Sequence, residues 1–521
     1  MKRGTWAEAA LRAGTALLTA GALAGCSLLP TAEAEQKPID VGTIDTVTSL
    51  DPAGAYDAGS WSLYSNLYQS LMTFTPGATR PVPDAAKWCR FSGADLRTFR
   101  CELRRDLKFP SGRKVTAEDV RYSFDRIATI KNPQGPLPVL DTLKHVRAEG
   151  RTVTFELSTP DATFPYKIAT GAGSIVDSRR YQPDRLRQGT SVDGTGPYLL
   201  NEYIGGRKAV LVPNPHYKGA VRQKGGPVNI HYFTDPDRLG KAWKQGRLDV
   251  AARQMPPEDI KKFSSPTATG VKVMANPAGT TRMMAFNVRK DSPMHRREVR
   301  QAVAELVDRP ALARKIHHRT VVALYSLIPQ GMSGHTTTFY DRYPKPDAER
   351  ARAGLVAAGV RLPVDITLGY SSGAATDEET AELRRQLESS GLFRVKTVRQ
   401  EWTAFQKSYA NGDFDAFCIG WVADFPDPDT FTAPLVGKKS ALHTGYRNAE
   451  IDELIRGTQR NSRRARAVTD FHAVQRIVAR DIPILPLWQK KDYVLGTETI
   501  TGTQYLSDGT GVWRLWRLGR M

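Results

Sequence analysis

Ten residues, Gly420-Trp421-Val422-Ala423-Asp424-Phe425-Pro426-Asp427-Pro428-Asp429, restrict the fold more than any other stretch of the chain. They follow a strand-like run at residues 414–419, and no helix can continue through them. Pro426 and Pro428 fix the backbone and push Phe425 and Asp427 toward extended conformations, so the loop is stiff and its side chains are pre-aimed. Asp427 and Asp429 read as turn residues whose carboxylates bond neighbouring amides. Asp424 reads differently. It stands at the strand exit directly after Trp421-Val422-Ala423, where an unpaired carboxylate beside an indole is costly unless a cation comes to meet it.

The opposite end of the chain concerns targeting. Lys2, Arg3 and Arg12 precede an apolar run at residues 13–23 that closes in Leu23-Ala24-Gly25-Cys26. That order of charge, apolar run and small residues marks residues 1–25 as a signal peptide, because spanning a bilayer takes roughly 20 apolar residues. Leu-Ala-Gly-Cys resembles the lipobox of bacterial lipoproteins, which implies Cys26 as the lipidated first residue of the mature chain. Residues 26–37 lack periodicity and read as a tether. No later segment is apolar enough to cross a membrane, so the expected body is exported and held by lipid at the outer face of the cell membrane.

The remaining length suffices for two or more domains. The formal charge is +20, and the chain stays strongly basic once residues 1–25 are removed. Nucleic acid is not the implied partner: Lys and Arg are dispersed among acidic residues, with no basic helix bearing aromatic stacking partners. Anionic lipid or wall polymer accounts for the charge equally well. Of the four cysteines, Cys89 and Cys101 flank two short apolar runs separated by Ser92-Gly93-Ala94-Asp95, a turn-like cluster that predicts a hairpin. In an oxidising compartment the hairpin predicts a Cys89–Cys101 disulfide. Cys418 is left as a buried thiol in the strand before the proline loop.

Local signals alternate between strand and helix. Thr116 is a helix N-cap followed by Glu118 and Asp119, with Val120, Phe124 and Ile127 on one face. Asp308 caps a helix that begins Arg309-Pro310, and Asp347 opens another that Gly359 stops. Thr376 and Glu379 read as a capping box, with Gly391 at the helix end. Alternation of this kind argues for α/β layers.

Several stretches, in order, are similar to one family. They are Leu50-Asp51-Pro52, Asn66-Leu67-Tyr68, Lys108-Phe109 through Thr116-Ala117-Glu118-Asp119-Val120, Gly194-Thr195-Gly196-Pro197-Tyr198, Asn214-Pro215-His216-Tyr217, Phe286-Asn287, Val299-Arg300-Gln301-Ala302, the proline loop, and Pro483-Ile484-Leu485-Pro486-Leu487. Each resembles its counterpart in the family 5 extracellular solute-binding proteins, the dipeptide and oligopeptide receptors of ABC importers. The resemblance implies a two-lobed, type II periplasmic-binding-protein-like α/β fold, monomeric and without cofactor or metal, that closes around a solute. The first lobe spans residues 38–275 with an inserted subdomain at about 72–190, the second spans 276–487, and residues 488–521 return to the first.

The same resemblance makes Asp424 the partner of a peptide ammonium group and places Trp421, Asn287 and Tyr56 at the cleft. Some members pair the peptide carboxylate with an arginine six residues before that aspartate. Here that position is Cys418, and the uncharged residues 371–376 supply no substitute, so the carboxylate end stays open. Oligopeptides delivered to ABC permease subunits are the expected cargo, ahead of a nickel chelate, an oligosaccharide or another amine-bearing solute. An exported hydrolase lacks support: the sequence holds no G-x-S-x-G, H-E-x-x-H or C-x-x-C. His317-His318, at an Arg/Lys-rich helix end, reads as a solvated face.

Overall fold

The computed structural model describes residues 36–521 except 77, 79, 224, 508, 509 and 511, together with all but the side chains of residues 276–278. The signal peptide and Cys26 lie outside the described residues. Among those described, no helix is long and apolar enough to cross a membrane.

Most strands join one mixed sheet. Its order is Phe393–Gln400, Val364–Ser371, Ala416–Val422, Val271–Phe286, Ile484–Thr497, Val250–Ala252, Ile39–Thr43, Val228–Tyr232, Lys208–Pro213 and Tyr198–Ile204, with Val321–Ala323 pairing Ile484–Thr497 off this path. Val271–Phe286 and Ile484–Thr497 are long enough to serve both ends. Their antiparallel ladder joins residues 271–276 to 492–497 and residues 280–285 to 484–490, with a register shift between Asn276 and Thr280. Val250–Ala252 flanks the first stretch, and Ala416–Val422 flanks the second.

Side chains sort along the same line. One core gathers residues between 283 and 488, among them Met284, Phe286, Leu368, Phe417 and Leu485. Another gathers residues from 39 to 252 and again from 494 to 518, including Val41, Leu67, Phe155 and Trp513, and Phe425 reaches into it from the proline loop. A separate antiparallel sheet, Ala86–Phe91, Thr98–Leu103, Thr152–Leu157 and Leu143–Glu149, packs under the helix Ala117–Ile130. Cys89 lies directly across from Cys101 in its first hairpin, and the two are joined as a disulfide. Cys418 is free and buried, and burial pushes its thiol up to about 12.

The helix signals act as the sequence indicates at Thr116, Asp308 and Asp347, each of which caps its helix. Glu379 is a correction. The helix Thr376–Glu388 starts from Ala375 without a side-chain cap, and Glu379 turns inward, fully buried, toward Arg282, His317 and Trp488. A second correction follows from it: His318 is exposed, but His317 is buried against that glutamate. Spacing alone cannot tell a capping carboxylate from one that a buried guanidinium has claimed.

Asp51 shows how a short polar motif fastens the first core. Its carboxylate accepts the Ala53 N–H at 3.0 Å and the Arg187 N–H at 2.8 Å, and it takes both Arg126 Nη atoms at 3.0 and 2.8 Å. Both side chains of the Asp51–Arg126 pair are nearly sealed from solvent, at 0% and 2% exposure. Deleting one partner strands a buried charge, so Asp51→Ala is expected to lower the unfolding free energy by about 3–5 kcal/mol. Urea denaturation checks this: the midpoint should fall at unchanged slope, and a midpoint like that of wild type would show that the pair is not structural.

Candidate functional site

The proline loop leaves the sheet where its sequence forbids further pairing. Ala416–Val422 ends the strand, and Pro428–Phe431 makes a 3-10 turn capped by Asp427, whose side chain accepts the Asp429 N–H at 3.0 Å. Asp427 is also clamped by Arg464, with Nε at 2.7 Å and Nη2 at 2.8 Å. Asp429 is buried against Thr458 and Gln459, and burial pushes its carboxyl up to about 7 against the pull of Lys167 and Arg464. These two aspartates hold the loop in shape.

Asp424 is the carboxylate that the loop presents. Its N–H donates to Thr430 Oγ1 at 2.9 Å, and its Oδ2 accepts the Thr430 hydroxyl at 3.1 Å and the Tyr56 hydroxyl at 2.7 Å. Oδ1 has no partner among the described residues. Burial pushes the Asp424 carboxyl up to about 7, although the Tyr56 and Thr430 bonds favour the ionised form. Tyr56 stands edge-on to Trp421 with ring centroids 5.7 Å apart, and the Trp421 Nε1–H is spent on the Thr430 carbonyl at 2.9 Å. Trp421 therefore offers its ring rather than its N–H.

Asp424, Trp421 and Tyr56 line a cavity of about 730 Å³, a size that suits a small ligand. Both cores build its wall. Tyr56, Asp57, Arg253 and Gln254 come from the first, and Arg282, Gly420 and Trp488 come from the second. The two cores also touch one another directly: Gln254 Oε1 accepts the Ala374 N–H at 3.2 Å, the Ala162 N–H reaches the Gln459 carbonyl at 2.7 Å, and Phe425 packs on Tyr166 at 5.8 Å.

Asn287 is a correction. It is buried away from the cavity, where its side-chain amide donates to the Gly412 carbonyl at 3.2 Å and its Oδ1 accepts the Arg289 N–H at 3.2 Å. Its place after Phe286 ends a strand, and its polar groups are consumed in fixing the following turn.

Sequence reasoning missed the basic side of the cavity. Arg282 donates from Nε to Glu379 at 2.7 Å, and the same carboxylate accepts His317 Nε2 at 2.9 Å and Trp488 Nε1 at 2.5 Å. Burial alone would raise the Glu379 carboxyl, but Arg282 and these two donors hold it down at about 2. Arg253 is tied to Asp45 at 2.8 Å and to Ser62 at 3.0 Å. The sequence signal for Arg282 is a lone cation entering an apolar strand, in Thr281-Arg282-Met283-Met284.

A model of the bacterial extracellular solute-binding proteins, family 5 (middle) matches residues 80–442 of the chain. The probable D,D-dipeptide-binding periplasmic protein DdpA of Escherichia coli is 26% identical over 483 residues, covering 89% of this chain and 90% of that one. A dipeptide-binding protein from Pseudoalteromonas sp. SM9913, solved with Met-Leu, is 18% identical and superposes with a TM-score of 0.83 over 93% of this chain and all of that one. The murein tripeptide binding protein MppA of E. coli, 21% identical, gives a TM-score of 0.81 over 93% of this chain and 98% of that one. Its unliganded open form gives 0.62 over 93% of this chain and 97% of that one. Matched by that model over more than half its length and sharing the two-lobed fold of these structures, the chain belongs to the bacterial extracellular solute-binding proteins of family 5.

Proposed function

We propose that this protein captures oligopeptides in the cavity between its two cores and hands them to the permease of an ABC importer. The observation that carries the reading is Asp424, a buried carboxylate that lines the cavity with one oxygen unpartnered and no cation within ion-pair distance among the described residues. A peptide ammonium group supplies the missing charge. Relatives whose names specify dipeptide or tripeptide binding support the peptide class. Trp421 and Tyr56 supply flat apolar walls for the residue that carries the ammonium.

We place the hinge where Val271–Phe286 and Ile484–Thr497 lose register, at residues 276–280 and 490–492. The lower TM-score against the open form of MppA, 0.62 against 0.81, supports reading this arrangement as the closed one. Cys26 carries the lipid in this reading, and the protein works as a monomer. Cys26→Ala should move it from the detergent phase to the aqueous phase in a phase-partition assay, and unchanged partition would rule the anchor out.

Two measurements test the ammonium anchor. A charge-assisted hydrogen bond is worth about 1.5–3 kcal/mol, so Asp424→Asn should weaken peptide binding on the order of 100-fold. Asp427→Asn should chiefly lower stability through the lost Arg464 clamp. Calorimetry on whatever solute co-purifies decides: if acetylating its amino group leaves the affinity unchanged, the amine anchor fails, and a metal chelate or sugar becomes the better occupant.

The second measurement is pH dependence. The Asp424 carboxyl of the ligand-free protein lies at about 7, above its ordinary value of 3.8. Protonation therefore favours the folded, ligand-free form, and this contribution to stability is lost as pH rises through about 7. Binding a cation requires the ionised form. Affinity should fall by about tenfold per pH unit below 7, with up to one proton released per solute bound. Calorimetry at pH 5.5, 6.5 and 7.5 in buffers of different ionisation enthalpy measures both, and a flat profile would show that Asp424 does not meet the charge.

A further inference from the structure

The charge that would meet an acidic group on the solute lies two strands from Asp424. In the ladder of three adjacent strands, Val422 faces Thr280, and Thr280 faces Lys490; two residues along, Gly420 faces Arg282, and Arg282 faces Trp488. Side chains alternate along a strand, so Arg282 and Lys490 share a face as diagonal neighbours. Both line the cavity.

Neither cation is fully engaged. Lys490 is half-buried and makes no hydrogen bond or ion pair among the described residues. Arg282 is only 6% exposed. Glu379 takes its Nε, yet its buried Nη2 has no acceptor. Burial lowers the Lys490 ammonium pKa against the pull of Asp492 and Asp45, with smaller lowering contributions from Arg253 and Arg282. Asp45 is already paired with Arg253, and Asp492 forms no ion pair with Lys490. Two like charges side by side, one with a buried donor left unmet, are stable only at a cost that an incoming anion would relieve.

We propose that Lys490 and the free Nη2 of Arg282 form an anion subsite that takes the α-carboxylate of a peptide whose ammonium rests on Asp424. This rests on the peptide reading and adds the end that the loop sequence leaves open. The arginine absent at Cys418 is replaced from the neighbouring strand, since Arg282 lies close enough to Cys418 for its charge to act on the thiol. Val422 and Lys490 are two strand spacings apart, roughly 10 Å, the reach of about three extended residues.

The test uses tripeptides Ala-Xaa-Ala as free acids, as C-terminal amides and as N-acetyl acids, titrated calorimetrically into wild type, Lys490→Met and Lys490→Arg. Wild type should prefer acid over amide by about tenfold or more, the worth of one charge-assisted bond. Lys490→Met should bring the two within about threefold while keeping the penalty for N-acetylation, and Lys490→Arg should restore the preference. An acid-to-amide ratio that is near one in wild type, or unchanged in Lys490→Met, overturns the subsite and leaves the peptide reading standing. Binding of none of the tripeptides by wild type, with a non-peptide solute co-purifying, overturns the peptide reading itself and the subsite with it.

Discussion

The structure depends on one pairing, the antiparallel ladder between Val271–Phe286 and Ile484–Thr497. It carries the chain from the first core to the second and back. Because backbone donors and acceptors must be satisfied wherever they are buried, each half of the ladder extends the sheet of the core that it enters. Between the halves the register slips, and there the two cores meet across the cavity rather than through a shared interior. The cavity therefore draws its walls from both cores.

Electrostatics separates what holds the fold from what serves the cavity. Asp51 with Arg126, Asp427 with Arg464, and Glu379 with Arg282, His317 and Trp488 are buried charges whose partners come from within the chain. Asp424 and Lys490 depart from this rule. Each lines the same cavity, each is desolvated, and neither meets an opposite charge within ion-pair distance. Burial draws the Asp424 carboxyl toward neutrality, which limits the cost of leaving it without a counter-charge.

Much of this was legible in the chain. Thr116, Asp308 and Asp347 act locally as caps, and the proline loop ends its strand at Val422 without continuing as an α-helix, because these are properties of a few adjacent residues. The ordered motifs located Asp424 beside Trp421 for the same reason. What tertiary structure alone decided were the groups whose roles depend on distant partners. Glu379 has the spacing of a cap but is claimed by Arg282, 97 residues earlier. His317 looks like a solvated charge until that glutamate covers it, and Asn287 has the motif of a cleft residue but is consumed by Gly412 and Arg289. Lys490 carries no local motif, and only the register against Thr280 turns it into the cavity. Local steric and hydrogen-bonding rules act over a few residues and are written in order along the chain. Burial and charge partnership are set by strand register between segments up to hundreds of residues apart, and one residue of slip would send Lys490 to the other face.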